Sequence, residues 1–258
     1  MERKVQRTIL ITGSASGIGE ATKRQLVGQG HLVVGVDVRD ADIQADLGTE
    51  AGRRTMLDAA LRLAPHGLDG VVACAGISRP DRAAEIIGIN YFGAVATLEG
   101  LRPLLARSRR ARAVAICSTA ALLPTDDAVV NACLAGDEAL ALAEAHARPQ
   151  NAYMSSKRAL ALWLRRAAVA NRWAGAGILL NGVAPGVVKT SMTAGLLSDP
   201  EMLKLIALSN PMAVQEFAKP DEIAEFICYL LTFEGHYLLG QIIFNDGGTD
   251  ALMRPDAF

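Results

Sequence analysis

The sequence predicts one α/β domain, doubly wound around a parallel sheet of about seven strands. Three observations carry this. Short apolar runs rich in β-branched residues recur along the chain, longer segments with helical spacing separate them, and no repeat, low-complexity tract or Pro/Ser-rich linker divides the 258 residues. Continuous apolar strands alternating with helices belong to a sheet covered on both faces, because each parallel crossover lays a helix against it. With 51% hydrophobic residues, a chain of this length can bury one large core.

Taken in order, the first strand is "TILIT" (8–12), and "TGSASGIG" (12–19) turns it into the helical "GEATKRQLVGQG" (19–30). "HLVVGVD" (31–37) is the second strand. Residues 38–45 then allow only a turn and a short third strand, not a full crossover helix. "TEAGRRTMLDAALRLA" (49–64) is helical, "LDGVVAC" (68–74) a strand, and "IIGINYFGAVATLEGLRPLLA" (86–106) a long helix. "RAVAIC" (112–117) is the next strand. A bare connection between strand and helix needs about 2–6 residues, yet residues 119–152 lie between Ser118 and Tyr153. Helical composition at 127–147 predicts an added helix or helical hairpin there, over the carboxyl edge of the sheet. The helix "YMSSKRALALWLRRAAVANRWA" (153–174), the strand "GILLNGV" (177–183), the helix "PDEIAEFICYLLTF" (220–233) and the strand "QIIFND" (241–246) complete the series.

Composition narrows the function. Lys plus Arg number 26 against 27 Asp plus Glu, a net charge of −1, so no basic surface invites nucleic acid or an anionic membrane. The apolar run in "MERKVQRTILITG" is too short for a signal segment or a membrane span. Cys74, Cys117, Cys133 and Cys228 show no CxxC pairing and sit among apolar residues, which predicts buried, reduced thiols in a cytoplasmic protein. His31, His66, His146 and His236 have no metal-ligand spacing, so no metal is expected.

Two local patterns carry chemistry. In "TGSASGIG", Gly13 permits a tight turn, Gly17 lets backbone approach a pyrophosphate, and Gly19 allows close packing, with the following helix N-terminus aimed at the phosphates. The spacing is GxxxGxG; the same glycines also make plain turns. Asp37 ends the second strand, where a carboxylate accepts ribose hydroxyls and repels a 2′-phosphate, favouring NAD although Arg39 lies nearby. In "YMSSK", Tyr153 and Lys157 stand one helical turn apart on one face.

The series "TGSASGIG", Asp37, "ADL" (45–47), "ACAG" (73–76), Asn90, "ICST" with Ser118, "YMSSK", "APGVVKT" (184–190) and "GQIIFNDGG" (240–248) resembles the short-chain dehydrogenase/reductase family along nearly the whole chain. The resemblance implies a single Rossmann-type NAD-binding catalytic domain, with Asn90, Ser118, Tyr153 and Lys157 catalytic. It implies that Gly13, Ser16, Gly17, Ile18, Gly19, Asp37, Asp46, Leu47, Cys74, Ala75, Gly76, Tyr153, Lys157, Pro185, Gly186, Val188 and Thr190 line the cofactor. Departures are Cys74 where the family carries an amide, Cys117 in place of the first serine of a doublet, and a short Gly76–Asn90 segment expected to leave one cleft wall low.

Under that resemblance, Tyr153 is the base for the hydroxyl proton, and the Lys157 ammonium favours its anion. Ser118 orients the substrate oxygen, and Asn90 holds a water that contacts the lysine. Residues 190–213 read as an apolar substrate lid carrying Met192, Leu196, Leu197 and Met202, against the alternative of a surface helix packed on the core. The expected partner is a small apolar alcohol or ketone. The shortened segment after Asp37, the insertion and the chain end further resemble bacterial 3α-hydroxysteroid dehydrogenase/carbonyl reductases; an aromatic or terpenoid alcohol such as coniferyl alcohol is the competing substrate. A non-catalytic NAD sensor is the alternative of another class. A homodimer or homotetramer is expected, with the insertion obstructing one family surface and leaving the helix at 220–233 and the last strand.

Overall fold

The computed structural model describes residues 5–257. Seven strands form: β1 (Thr8–Thr12), β2 (Leu32–Asp37), β3 (Ile43–Gln44), β4 (Gly70–Ala73), β5 (Arg112–Ile116), β6 (Leu179–Pro185) and β7 (Ile242–Asn245). Around them lie α1 (Gly17–Gly28), α2 (Glu50–Leu63), α3 (Ala83–Ile87), α4 (Ala94–Leu105), α5 (Asp127–Ala135), α6 (Glu138–Ala147), α7 (Ala152–Ala168), α8 (Ala194–Ser198), α9 (Pro200–Ser209), α10 (Pro220–Thr232) and α11 (Thr249–Met253). Every strand pairing is parallel, in the order β3-β2-β1-β4-β5-β6-β7. The order reverses beside β1, so a crevice opens between the carboxyl ends of β1 and β4.

Strand periodicity sorts the core into two layers, since successive side chains point to opposite faces. Leu10, Val71 and Ala113 join Met56, Leu98, Leu101, Leu160 and Leu164 from α2, α4 and α7 on one face. Ile9, Ile11, Val72 and Val114 join Leu26, Ile223, Ile227 and Leu231 from α1 and α10 on the other. Continuous apolar runs therefore serve both cores at once, which is why these strands show no polar alternation.

The two irregular spacings take physical form. Residues 38–45 yield only β3, which meets β2 at Val36↔Ile43 and Asp37↔Gln44. The Gly35 N–H of β2 is taken instead by the Asp42 carboxylate at 2.7 Å, and Lys23 Nζ pairs with that carboxylate at 2.9 Å. The insertion folds as the hairpin α5–α6, capped by Asp126 and Asp137 and turned at Gly136, whose φ of +77° suits a residue without a Cβ. It packs on α3, which follows the carboxyl end of β4, and on α7.

Two helices differ from their periodicity. The long helix is interrupted by a π-turn at Gly88–Gly93, flanked without a break by α3 and α4. A π-turn inserts one extra residue per hydrogen-bonded ring, a deviation that hydrophobic spacing cannot register and that recurs at functional sites. The helix expected to reach residue 174 ends at Ala168, and Trp173 folds back into the core.

Candidate active site

At the end of β1, Thr12 Oγ1 accepts the main-chain N–H groups of Cys74 (3.0 Å) and Ala75 (3.1 Å), fastening the ends of β1 and β4 together. Gly13 sits at φ +70°, and a Cβ there would come within 2.9 Å of the Ala75 main chain. A Cβ on Gly19 would lie 2.1 Å from Gly13 O, so a glycine is obligatory at both positions. Ser16 is the N-cap of α1, but its side chain makes no capping bond, leaving the first-turn N–H groups of Gly17, Ile18 and Gly19 facing the crevice mouth. Asp37 stands across the turn, its carboxylate accepting Ala15 N–H at 3.0 Å and Val38 N–H at 2.8 Å. Asp46 and Leu47 follow β3 next to Asp37, whose carbonyl accepts Ala45 N–H at 2.9 Å.

The four residues expected to be catalytic come from three elements. Lys157 is buried in α7, and its Nζ donates to Ile116 O at the end of β5 at 2.8 Å. Ser118, two residues beyond, is the N-cap of a short 3₁₀ turn, its Oγ accepting Ala120 N–H at 3.1 Å. Tyr153 lies one turn before Lys157, with Nζ 5.8 Å from the ring centroid. The sheet end thus carries the serine, and α7 lays the Tyr–Lys face along it.

Asn90 occupies the π-turn, fully buried. Its Oδ1 accepts Ile77 N–H at 2.8 Å, while Nδ2 donates to Ile77 O at 2.9 Å and Ser156 Oγ at 3.3 Å. Both amide hydrogens are committed. The side chain therefore turns toward Ile77, which it clamps through both main-chain groups. Asn90 and Lys157 nonetheless converge: a Cβ on Gly76 would lie 3.1 Å from Asn90 Oδ1 and 3.7 Å from Lys157 Nζ.

Past β6, Pro185 leads into Gly186, whose N–H bonds Asn245 O at 3.2 Å. Val188 bridges Ala218, and Thr190 approaches the glycine turn closely enough that a Cβ on Gly17 would touch its Cγ2 at 3.4 Å. Thr193 Oγ1 stitches this segment by donating to Val188 O at 2.5 Å. A cavity of about 540 Å³ opens here, bordered by Ser16, Gly17, Lys189, Thr190 and Leu197 and by the ion-paired Arg24 and Asp221. It lies on the phosphate side of the turn, away from Tyr153. Of the lid residues expected to touch substrate, only Leu197 lines it; Met192 and Leu196 are exposed, Met202 is half-buried, and neither α8 nor α9 carries a buried residue.

The four thiols are free; Cys117, Cys133 and Cys228 are buried, and burial pushes all four up to about 12. His31 Nδ1 accepts Arg7 N–H at 3.2 Å, a structural role. Among the described residues no group of His, Cys, Asp or Glu has metal-holding geometry, and no helix is long and apolar enough to cross a membrane. Thr12, Lys189, Arg53 and Asp42 all bear on this region and escaped the sequence reading. Only Thr12, fixed in position before Gly13, had a local signal.

Residues 7–132 match the family model described as short chain dehydrogenase, and residues 138–250 match that described as enoyl-(acyl carrier protein) reductase. The chain is 38% identical, over 97% of its length and 99% of the relative's, to a 3-alpha-hydroxysteroid dehydrogenase/carbonyl reductase of Comamonas testosteroni. A cis-4-hydroxycyclohexanecarboxylate dehydrogenase of Sinomonas cyclohexanicum is 30% identical over 97% of this chain and 99% of its own. The crystal structure of the 3-alpha-hydroxysteroid dehydrogenase from Pseudomonas sp. B-0831 complexed with NADH superposes with a TM-score of 0.89 at 40% identity, covering 97% of this chain and all of that one. With relatives matched over nearly their whole lengths and a sheet that reproduces their architecture, this chain belongs to the short-chain dehydrogenase family of oxidoreductases.

Proposed function

We propose that the protein is an NAD-dependent oxidoreductase that interconverts a secondary alcohol and a ketone on a hydrophobic, ring-bearing substrate of the 3α-hydroxysteroid/carbonyl type. The observation that carries the reading is the anchoring of Lys157 on Ile116 O, two residues before Ser118 and one helical turn from Tyr153. It gathers a proton acceptor, a fixed positive charge and an orienting hydroxyl at one end of the sheet. The crevice suits a dinucleotide: two positions tolerate no Cβ, an uncapped helix N-terminus awaits negative charge, and Asp37 stands where ribose hydroxyls would be met.

Gly13, Ser16, Gly17, Ile18 and Gly19 would hold the pyrophosphate. Asp37, Asp46 and Leu47 border the adenosine half, with Cys74, Ala75 and Gly76 as its floor. Pro185, Gly186, Val188 and Thr190 would fix the nicotinamide, which when bound supplies the redox partner of the carbinol carbon. Tyr153 takes or returns the hydroxyl proton, and the Lys157 ammonium, its Nζ 5.8 Å from the ring centroid, would stabilise negative charge as it develops on the phenol oxygen. Ser118 holds the substrate oxygen beside Tyr153. Asn90 contributes by clamping residues 76–77 against Lys157. Residues 190–213, exposed on both helices, form the lid that closes over the apolar substrate. The compounds for which these two relatives are named, a 3-alpha-hydroxysteroid and cis-4-hydroxycyclohexanecarboxylate, both carry a hydroxyl on a saturated ring, which supports a rigid alicyclic alcohol.

Incubation of the purified protein with NAD⁺ and a panel of hydroxysteroids, alicyclic alcohols and cinnamyl alcohols tests this through NADH absorbance. Turnover is expected with the ring alcohols. Turnover confined to cinnamyl alcohols, or none at all with NAD⁺, would overturn it.

A further inference from the structure

Glu138 opens α6, in the insertion, yet its carboxylate grips Arg53 of α2 with both oxygens: Nη2 to Oε1 at 2.5 Å and Nη1 to Oε2 at 2.8 Å. Arg53 is buried, and its Nε and Nη2 also meet main-chain carbonyls, those of Nη2 sharing its hydrogens with the carboxylate. Its Nε reaches Leu47 O at 2.8 Å, and its Nη2 reaches Gly48 O at 3.3 Å and Gly88 O at 3.4 Å. The guanidinium also lies 5.9 Å from the Phe92 ring centroid.

Leu47 and Gly48 follow Asp46 in the turn after β3, and Gly88 opens the π-turn that carries Asn90. The two segments are in contact. A Cβ on Gly93 would lie 3.0 Å from Leu47 O, and one on Gly48 would lie 3.1 Å from Ile89 Cγ1. A single planar fork of donors therefore ties the insertion, the turn at 46–48 and the π-turn into one unit. The five donors of an arginine fork can hold a carboxylate with two parallel bonds and still reach several carbonyls. With the carboxylate gone, the fork loses its charged, bidentate anchor and the carbonyls alone must fix its orientation.

We propose that Glu138 is a positioning residue for the adenosine half of the cofactor: acting through Arg53, it holds the 46–48 turn in binding geometry and makes cofactor affinity depend on the insertion. The proposal rests on the NAD reading above and assigns the insertion a role in it.

The test measures dissociation constants of NADH, by its fluorescence, and of ADP-ribose and nicotinamide mononucleotide, by calorimetry, for the parent and for Glu138→Ala. Expected is a rise of about 5–10-fold for NADH and the same factor for ADP-ribose, the order of one well-made charged hydrogen bond. Nicotinamide mononucleotide binding and kcat at saturating NAD⁺ should stay within twofold. Glu138→Gln, which keeps one acceptor, should fall between the two and carries the same comparison where the alanine variant does not fold. A lowered melting temperature with unchanged ADP-ribose affinity overturns the proposal, as does equal weakening of both cofactor halves. A parent that binds neither NADH nor ADP-ribose overturns the cofactor reading itself, and the role of Glu138 with it.

Discussion

Single residues here act through atoms whose partners can be named. Tyr153→Phe removes the hydroxyl that is proposed to move the proton but keeps the ring beside Lys157. It should lower kcat by about 10²–10⁴-fold, the usual worth of a positioned acid or base, with NADH binding unchanged; an activity near the parent's would remove Tyr153 from the chemistry. Asp42 offers a pH-dependent counterpart away from the reaction. Burial raises its carboxyl, but the Gly35 N–H and Lys23 outweigh that and leave it below the ordinary carboxylate value. A folded-state value below the unfolded one adds stability above the unfolded value, near ~4, and that stability is lost as pH falls through the folded value. Asp42→Asn should therefore lower the urea midpoint at pH 7 and match the parent in strongly acidic buffer. A difference that persists unchanged in acid would show that packing, not charge, accounts for it. Cys117, Cys133 and Cys228, buried and pushed up to about 12, should resist iodoacetamide at pH 8 until the chain is unfolded.

At the scale of elements, the insertion is the part with most to explain. Its hairpin exists because Asp126 and Asp137 each cap a helix start and Gly136 turns between them. A Cβ on Gly136 would meet nothing within 4 Å, so an alanine there tests backbone strain alone. Gly136→Ala should cost about 1 kcal/mol or slightly more, a drop in Tm of about 2–4 °C; an unchanged Tm would mean that the hairpin melts independently of the core. Arg148 reinforces the same unit by pairing with Asp126 and Glu144. The two helices were visible in the sequence only as helical composition at 127–147. What they pack against was not, because amphipathic spacing marks an apolar face without naming its partner.

For the whole molecule, the half-buried edge strand β7 and the outer face of α10 lie on elements that the hairpin α5–α6 does not pack on. Phe226, Tyr229 and Phe233 line up there, with centroids 6.2 Å and then 5.5 Å apart, and Tyr229 is exposed. We expect a homodimer through this face, so Tyr229→Glu should shift the sedimentation mass from two subunits to one; an unchanged dimer would put the interface elsewhere. The sequence by itself determined the sheet and its helices, the glycine turn, Asp37 and the Tyr153–Lys157 pair, because each depends on periodicity or on spacing within one turn. Tertiary structure alone decided that Asn90 clamps Ile77, that Lys157 anchors on Ile116, and that Arg53 meets Glu138, 85 residues away. Those are side-chain contacts between segments far apart along the chain. They follow from where loops and a π-turn bring the backbone, and local residue patterns carry no record of that.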